Sequence, residues 1–296
     1  MPRLRMGQQG VWRMYAAEVL KRDKNMEHIL SLSYGKDSLA CLGAIEKLGW
    51  PLDRIVHAEV WATDTIPADL PPMVEFKAKA DKIIKERWGV EVEHVYAMQG
   101  GEKLTYEKVF YRKRKFSKGG NPLHKMYGWP FQKGAWCNNR LKVDLLNKAG
   151  KGCIHYIGIA ADEPKRFHVL SEIERSPLVE AGWTEADCRR WCDESGLLSP
   201  IYTTAARGGC WFCHNQGVGQ LRLLRKNYPD LWALMLKWDA DSPVPFKSAG
   251  HTVHDYEERF ALEDNGFIAA NDKFLWDMLK YSQISVDYYT RSDFAE

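Results

Sequence analysis

The feature that most constrains this chain is a repeated alternation: short apolar runs suited to strands are followed by a turn and then by a stretch with helical spacing. HILSLS (28–33) precedes SLACLGAIEKL, where Leu39, Leu42, Ile45 and Leu48 form one apolar stripe. RIVHAEVW (54–61) predicts a second strand, 73–88 a second helix with Phe76, Ala80, Ile83 and Ile84 inward, and VEVEHVY (90–96) a third strand. After a gap, NRLKVDLLNKA (139–149) reads as helix and CIHYIGI (153–159) as strand. TEADCRRWCDESG (184–196) reads as a helix opened by a Thr184-x-x-Asp187 capping pattern and closed by glycine. Strands taking turns with helices predict an α/β fold, a parallel sheet covered by helices on both faces.

Residues 99–135 interrupt the alternation, and a connection of that length is expected to be functional or mobile. From Gln216 the pattern turns helical, with Leu221, Leu224, Tyr228, Leu231, Met235 and Trp238 in phase and further patches near 255–263 and 272–281. The expected organisation is an amphipathic helix within 1–24 (Trp12, Tyr15, Ala16, Val19, Leu20), an α/β domain over 25–215 with an insertion at 99–135, and a helical appendage over 216–296.

With 45% hydrophobic and 27% charged residues among 296, the chain has neither the composition of a disordered protein nor that of a small disulfide scaffold. No apolar stretch approaches the roughly 18 residues needed to cross a bilayer. The segment MPRLRMGQQGVWRMY lacks an apolar signal core, so the expectation is a cytoplasmic protein without a membrane partner. Seven dispersed cysteines suit reduced thiols or metal ligands better than a secreted framework. The net charge of +3 is uninformative, but its distribution is not: residues 103–125 hold eight Lys/Arg against the single acid Glu107.

Between the first strand and its helix stands Ser33-Tyr34-Gly35-Lys36-Asp37-Ser38. This is not a Walker loop, yet it offers a glycine turn, amides at a helix start and two hydroxyls, all suited to phosphate. Lys36 adds a point charge, and Asp37 is suited to hold Mg²⁺ on the phosphates. The alternative is an ordinary strand-to-helix turn whose Ser or Asp merely caps the helix.

SYGKDS resembles the S-G-G-K-D-S signature of the PP-loop ATP pyrophosphatases, with Tyr34 in place of the first glycine. Further segments resemble the phosphoadenosine phosphosulfate (PAPS) reductase-like branch of that superfamily: VWATDT (60–65), WCNNRLK (136–142), GIAADEPKRF (158–167), the stretch from SPLVEAGWTEAD to LLSPIY, and GGCWFC (208–213). The likeness runs in order over about 28–215, although Ala160 and Pro164 replace an arginine and a serine of the branch's pattern. It implies a Rossmann-like fold of adenine nucleotide α-hydrolase type, a doubly wound parallel sheet. It also implies an ATP site built from Ser33, Tyr34, Gly35, Lys36, Asp37 and Ser38, with Asp64, Gly158, Glu163 and Arg166 bordering the adenosine and α-phosphate. Reductases of the branch use a cysteine near the C-terminus; none follows Cys213 here, which directs the expectation to the sulfur-transfer members.

Cys210-Trp-Phe-Cys213, after two glycines, is a C-x-x-C able to aim two thiolates at one ion, and the resemblance makes Cys137 the third ligand. Three cysteines suit a [4Fe–4S] cluster with an open iron; zinc with His214, His124 or another cysteine is the alternative, and buried thiols or a redox pair the plainest reading. Cys41, Cys153, Cys188 and Cys192 are expected in the core. The segment 103–129 mixes cations with Tyr106, Phe110, Tyr111, Phe116, Tyr127 and Trp129, which suits phosphates and unpaired bases of a tRNA or DNA, or else is a solvated loop.

The function these readings imply is ATP-dependent adenylation of an acceptor with loss of pyrophosphate, followed by sulfur transfer, with Lys36, Asp37 and Arg166 as catalytic residues and a cysteine desulfurase as the type of sulfur donor. The alternatives are a non-catalytic nucleotide- or nucleic-acid-binding regulator with structural zinc, and a sulfonucleotide reductase with another thiol source.

Overall fold

A computed structural model describes residues 26–114, 126–131, 134–167, 170–203 and 208–270. The helix expected within 1–24, the patch at 272–281, Phe116 and His124 lie outside them. The elements in chain order are β1 (His28–Ser31), α1 (Lys36–Leu48), β2 (Arg54–Glu59), α2 (Pro71–Trp88), β3 (Val92–Tyr96), a hairpin of β4 (Met98–Gln99) and β5 (Glu102–Lys103), and α3 (Tyr106–Phe110). There follow α4 (Trp136–Asn138), a π-helical turn (Asn139–Val143), α5 (Asp144–Ala149), β6 (Ile154–Tyr156), α6 (Pro164–Phe167), β7 (Glu174–Arg175), α7 (Pro177–Ala181), α8 (Glu185–Glu194) and a 3₁₀ turn (Pro200–Thr203). Three helices close the described chain: α9 (Val218–Asn227), α10 (Pro229–Asp241) and α11 (Val253–Asp264).

The described chain divides into two compact units, one reaching Tyr106 and resuming over Cys137–Cys210, the other comprising Glu107–Trp136 and the residues from Trp211 onward. Residues 107–136 thus fall with the C-terminal helices, whereas the break in the strand–helix alternation grouped all of 99–135 as an insertion in the α/β domain.

The first unit is α/β, built on a five-stranded parallel sheet in the order β3-β2-β1-β6-β7. Leu30 pairs with Ile55 on one side and Tyr156 on the other. Because strand side chains alternate, Leu30, Ile55, Ile154 and Tyr156 meet α1, α2, α7 and α8 on one face, while Ile29, Val56 and Cys153 meet Leu146 and Ala149 of α5 on the other. The α1–α8 contact is close because Gly43 has no side chain: a Cβ there would lie 2.3 Å from the Trp191 ring. The expected cap of α8 is present, the Thr184 hydroxyl accepting from the Asp187 amide and the Asp187 carboxylate from the Thr184 amide. β7, short and charged, had no apolar signal in the sequence.

The second unit packs aromatic rings. Trp129 meets Phe110, Trp238 and Phe246, and Trp211 stacks on Trp238. Trp211 and Phe212, the two residues between Cys210 and Cys213, are buried, so their size serves packing. The helical pattern expected as one run from Gln216 to Trp238 is two helices, interrupted at Tyr228 with Pro229 opening α10, as its ring and missing N–H favour. Among the described residues no helix is long and apolar enough to cross a membrane.

Candidate functional site

The strand order reverses between β1 and β6, and in open parallel sheets ligands bind beyond the carboxyl ends of the strands at such a point. There the first unit has a cleft of ≈ 660 Å³, lined among others by Ser33, Tyr34, Gly35, Asp37 and Ser38 after β1, and by Gly158 and Arg166 after β6. Gly158 lies against the first turn of α1: a Cβ on it would come within 2.8 Å of the Ser38 nitrogen and 2.9 Å of the Asp37 carbonyl carbon. Both neighbours are backbone, so only glycine permits this approach.

The turn after β1 is closely bonded. The Ser33 and Ser38 hydroxyls are 3.0 Å apart, the Ser38 hydroxyl donates to the Gly35 carbonyl at 3.0 Å, and the Lys36 amide donates to the Tyr202 hydroxyl at 3.0 Å. Among the described residues nothing accepts from the Asp37 and Ser38 amides, which open α1 and aim at the region where an anion is stabilised by a helix start. Tyr34 has φ of +56°, the one non-glycine among the described residues in the left-handed region.

Lys36 donates to Asp37 at 2.7 Å and sits 3.1 Å from Glu185. Burial works against its charge, but the bonds to Asp37 and Glu185 outweigh it and raise its pKa. Asp37 is also raised: its burial outweighs the attraction of Lys36, and Glu185 and Glu163 add to the effect. A half-buried carboxyl with surplus negative charge around it and open space before it suits a divalent cation held jointly with phosphate oxygens. Glu163 does not line the cleft; it accepts two bonds from Arg166, at 3.0 and 2.8 Å, and holds that guanidinium at the cleft wall. Asp64 is exposed and does not line the cleft, which Val60, Ala68 and Asp69 border instead.

Four cleft residues escaped the sequence reading. His57 donates from Nδ1 to the Leu32 carbonyl at 2.8 Å and accepts at Nε2 from Lys77 at 2.7 Å; burial, with Lys77 nearby, lowers its pKa to about 3, so the ring is neutral. Lys77 also donates to Asp69. Tyr202 belonged to a segment noted for its resemblance, but nothing in the sequence linked it to the Lys36 amide.

The metal-capable side chains brought together among the described residues are His57, Glu59 and His94. Their nitrogens are engaged: His57 as above, and His94 by Glu59 at 3.1 Å and Asp81 at 3.0 Å. Those two bonds raise the His94 pKa to about 9, so it is an imidazolium, and neither histidine of this ion network has a free nitrogen lone pair to offer a metal. Of the three cysteines expected to hold a cluster, Cys137 and Cys210 belong to the first unit, with Cys210 lining the cleft, and Cys213 to the second. Neither unit alone contains the set. Cys41, Cys153, Cys188 and Cys192 are buried as expected.

The basic aromatic segment is only partly a surface. Tyr106, Phe110 and Trp129 are buried, which removes them from any stacking role, and Tyr111 donates to Asp241 at 2.6 Å. The Arg114 guanidinium lies 5.3 Å from both the Tyr127 and Phe131 rings, and Phe131 is half exposed.

No protein-family model matches the chain, and no curated protein matches it.

Proposed function

We propose that the first unit binds ATP at the β1/β6 reversal and that the chain is an adenylating PP-loop enzyme of the PAPS reductase-like, sulfur-transfer type, with a Rossmann-like fold of adenine nucleotide α-hydrolase type. The observation that carries this reading is the convergence of the Ser33–Ser38 turn and the Gly158–Arg166 segment on one cleft, pressed together at Gly158. In the reaction, an acceptor oxygen attacks the α-phosphorus of ATP and the bond to pyrophosphate breaks. The Asp37 and Ser38 amides and the Ser33 and Ser38 hydroxyls hold the β,γ-phosphates, and Arg166 steadies the adenylate. Lys36 acts chiefly by orienting Asp37, its ammonium being bonded to two carboxylates. Asp37 is the residue suited to Mg²⁺, which supplies charge neutralisation on the leaving pyrophosphate. A sulfur nucleophile from a desulfurase-type donor then attacks the activated centre, and AMP leaves.

We further propose a tRNA or DNA acceptor, favoured by the cations at Arg112, Lys113 and Arg114 and the exposed Phe131. Cys137, Cys210 and Cys213 are the proposed ligands of a [4Fe–4S] cluster, or of zinc. The test is calorimetric titration of the protein with ATP and Mg²⁺, together with pyrophosphate release. Wild type is expected to bind, and Asp37→Ala to lose turnover while keeping its fold; absence of ATP binding by wild type would overturn the site.

A further inference from the structure

Turns that wrap phosphate must hold several amides in one orientation, and the Ser33–Ser38 turn does so through a residue ill suited to its backbone. At Tyr34, φ is +56°, a conformation in which an L side chain crowds the backbone and glycine does not. Such a residue persists where its surroundings over-determine it. The Tyr34 ring is 1% exposed and meets His57 edge-on at 4.8 Å, with the Lys77 ammonium 5.3 Å from its centroid. Its hydroxyl donates to Asp81 and lies 3.2 Å from His94 Nε2. His94 in turn donates to Asp81 and Glu59. The anchor therefore draws on β2 (His57, Glu59), α2 (Lys77, Asp81) and β3 (His94), three elements that do not belong to the turn.

We infer that Tyr34 is a positioning residue, whose ring, tied to Asp81 and His94, holds the phosphate-binding turn in its left-handed kink and thereby fixes the aim of the Asp37 and Ser38 amides. Glycine at this position permits the kink but cannot hold it, because it frees the backbone and has no side chain to tie down. The inference rests on the ATP reading for its consequence in binding, though not for the rigidity of the turn.

The experiment compares the full-length wild type with Tyr34→Gly and Tyr34→Phe by hydrogen exchange of the 33–39 segment without ligand, and by calorimetry with ATP and Mg²⁺. Tyr34→Gly relieves the strained φ, so if strain were all that mattered the turn would be as protected as before and ATP would bind as well or better. The expected result is the opposite: exchange in 33–39 about tenfold faster, with protection of β2 and β3 kept, and ATP affinity reduced about tenfold, the scale of one missing hydrogen bond to a charged group. Tyr34→Phe, which keeps the ring and loses only the hydroxyl, falls between the two and serves if the glycine variant does not fold. Unchanged exchange of 33–39 in both variants overturns the inference, as does a Tyr34→Gly protein that binds ATP as tightly as wild type. If wild type binds no ATP, the proposed function fails while the exchange comparison still decides whether Tyr34 holds the turn.

Discussion

Raising the pH should loosen the first unit through His94, and the size of the effect follows from its surroundings. The imidazolium donates to Asp81 at 3.0 Å and Glu59 at 3.1 Å, and these bonds lift its pKa to about 9. In the unfolded chain it titrates near its ordinary value of about 6.5. A difference of about 2.5 units at about 1.36 kcal/mol each sets a ceiling of about 3.4 kcal/mol. The side chain is 30% exposed, and solvent screening reduces this to about 1.5–2 kcal/mol. Since the folded-state pKa is the raised one, the unfolded chain gives up its proton first. The contribution is therefore complete below about pH 6.5, declines above it, and is gone once the pH passes about 9. The assay is hydrogen exchange of β2 and β3 amides in rising urea, for wild type and His94→Gln, between about pH 6 and pH 9.5. Lys247, whose burial lowers its pKa to about 8, titrates in the same window, but it is common to both proteins and drops out of the difference. The stability gap between the two proteins should narrow by about 1.5–2 kcal/mol over this range. A gap that stays constant, or widens, refutes the assignment of His94 as a charged link.

Gly158→Ala would drive a methyl into the backbone of Asp37 and Ser38, so it should cost about 1–3 kcal/mol of stability, as overpacking does, and lower ATP affinity, measured by urea unfolding and calorimetry. Replacing Cys210 by Ser should lower the iron, sulfide or zinc content of anaerobically purified protein. Cys188→Ser, altering a thiol buried in the α1–α8 contact, should leave it unchanged. Changing Arg112, Lys113, Arg114 and Lys115 together to Ala should weaken binding to tRNA or single-stranded DNA and flatten its salt dependence, by about 0.7–0.9 in log K against log salt for each phosphate no longer neutralised. Their ATP affinity should stay at the wild-type value.

How much of this was legible in the sequence depended on whether the signal was local. The α/β alternation was, because β1 and β2 are short, mostly apolar runs, β3 carries the strand formers Val92, Val95 and Tyr96, and α1 and α2 bury stripes that recur every three or four residues; the Thr184–Asp187 cap was, because both partners sit in one turn. The Ser33–Ser38 turn was recognisable as a string of residue types, and the structure places Ser33, Gly35, Asp37, Ser38, Gly158 and Arg166 around one cleft. What escaped was whatever depended on pairing distant residues. His57, Lys77, Asp81 and His94 are scattered over three elements, and each alone reads as an ordinary polar residue on a helix or strand; they become a network only when β2 and β3 pair and α2 covers them. The same holds for Tyr202, 166 residues from the Lys36 amide it accepts from. Tyr34 shows where the two kinds of information meet. As a departure from S-G-G-K-D-S it puts a bulky side chain where the backbone turns left-handed. The fold answers with a buried cage for that side chain, so the substitution and the network around it account for each other: without Asp81 and His94 a tyrosine there would only strain the turn, and without the tyrosine the two would have nothing of the turn to hold.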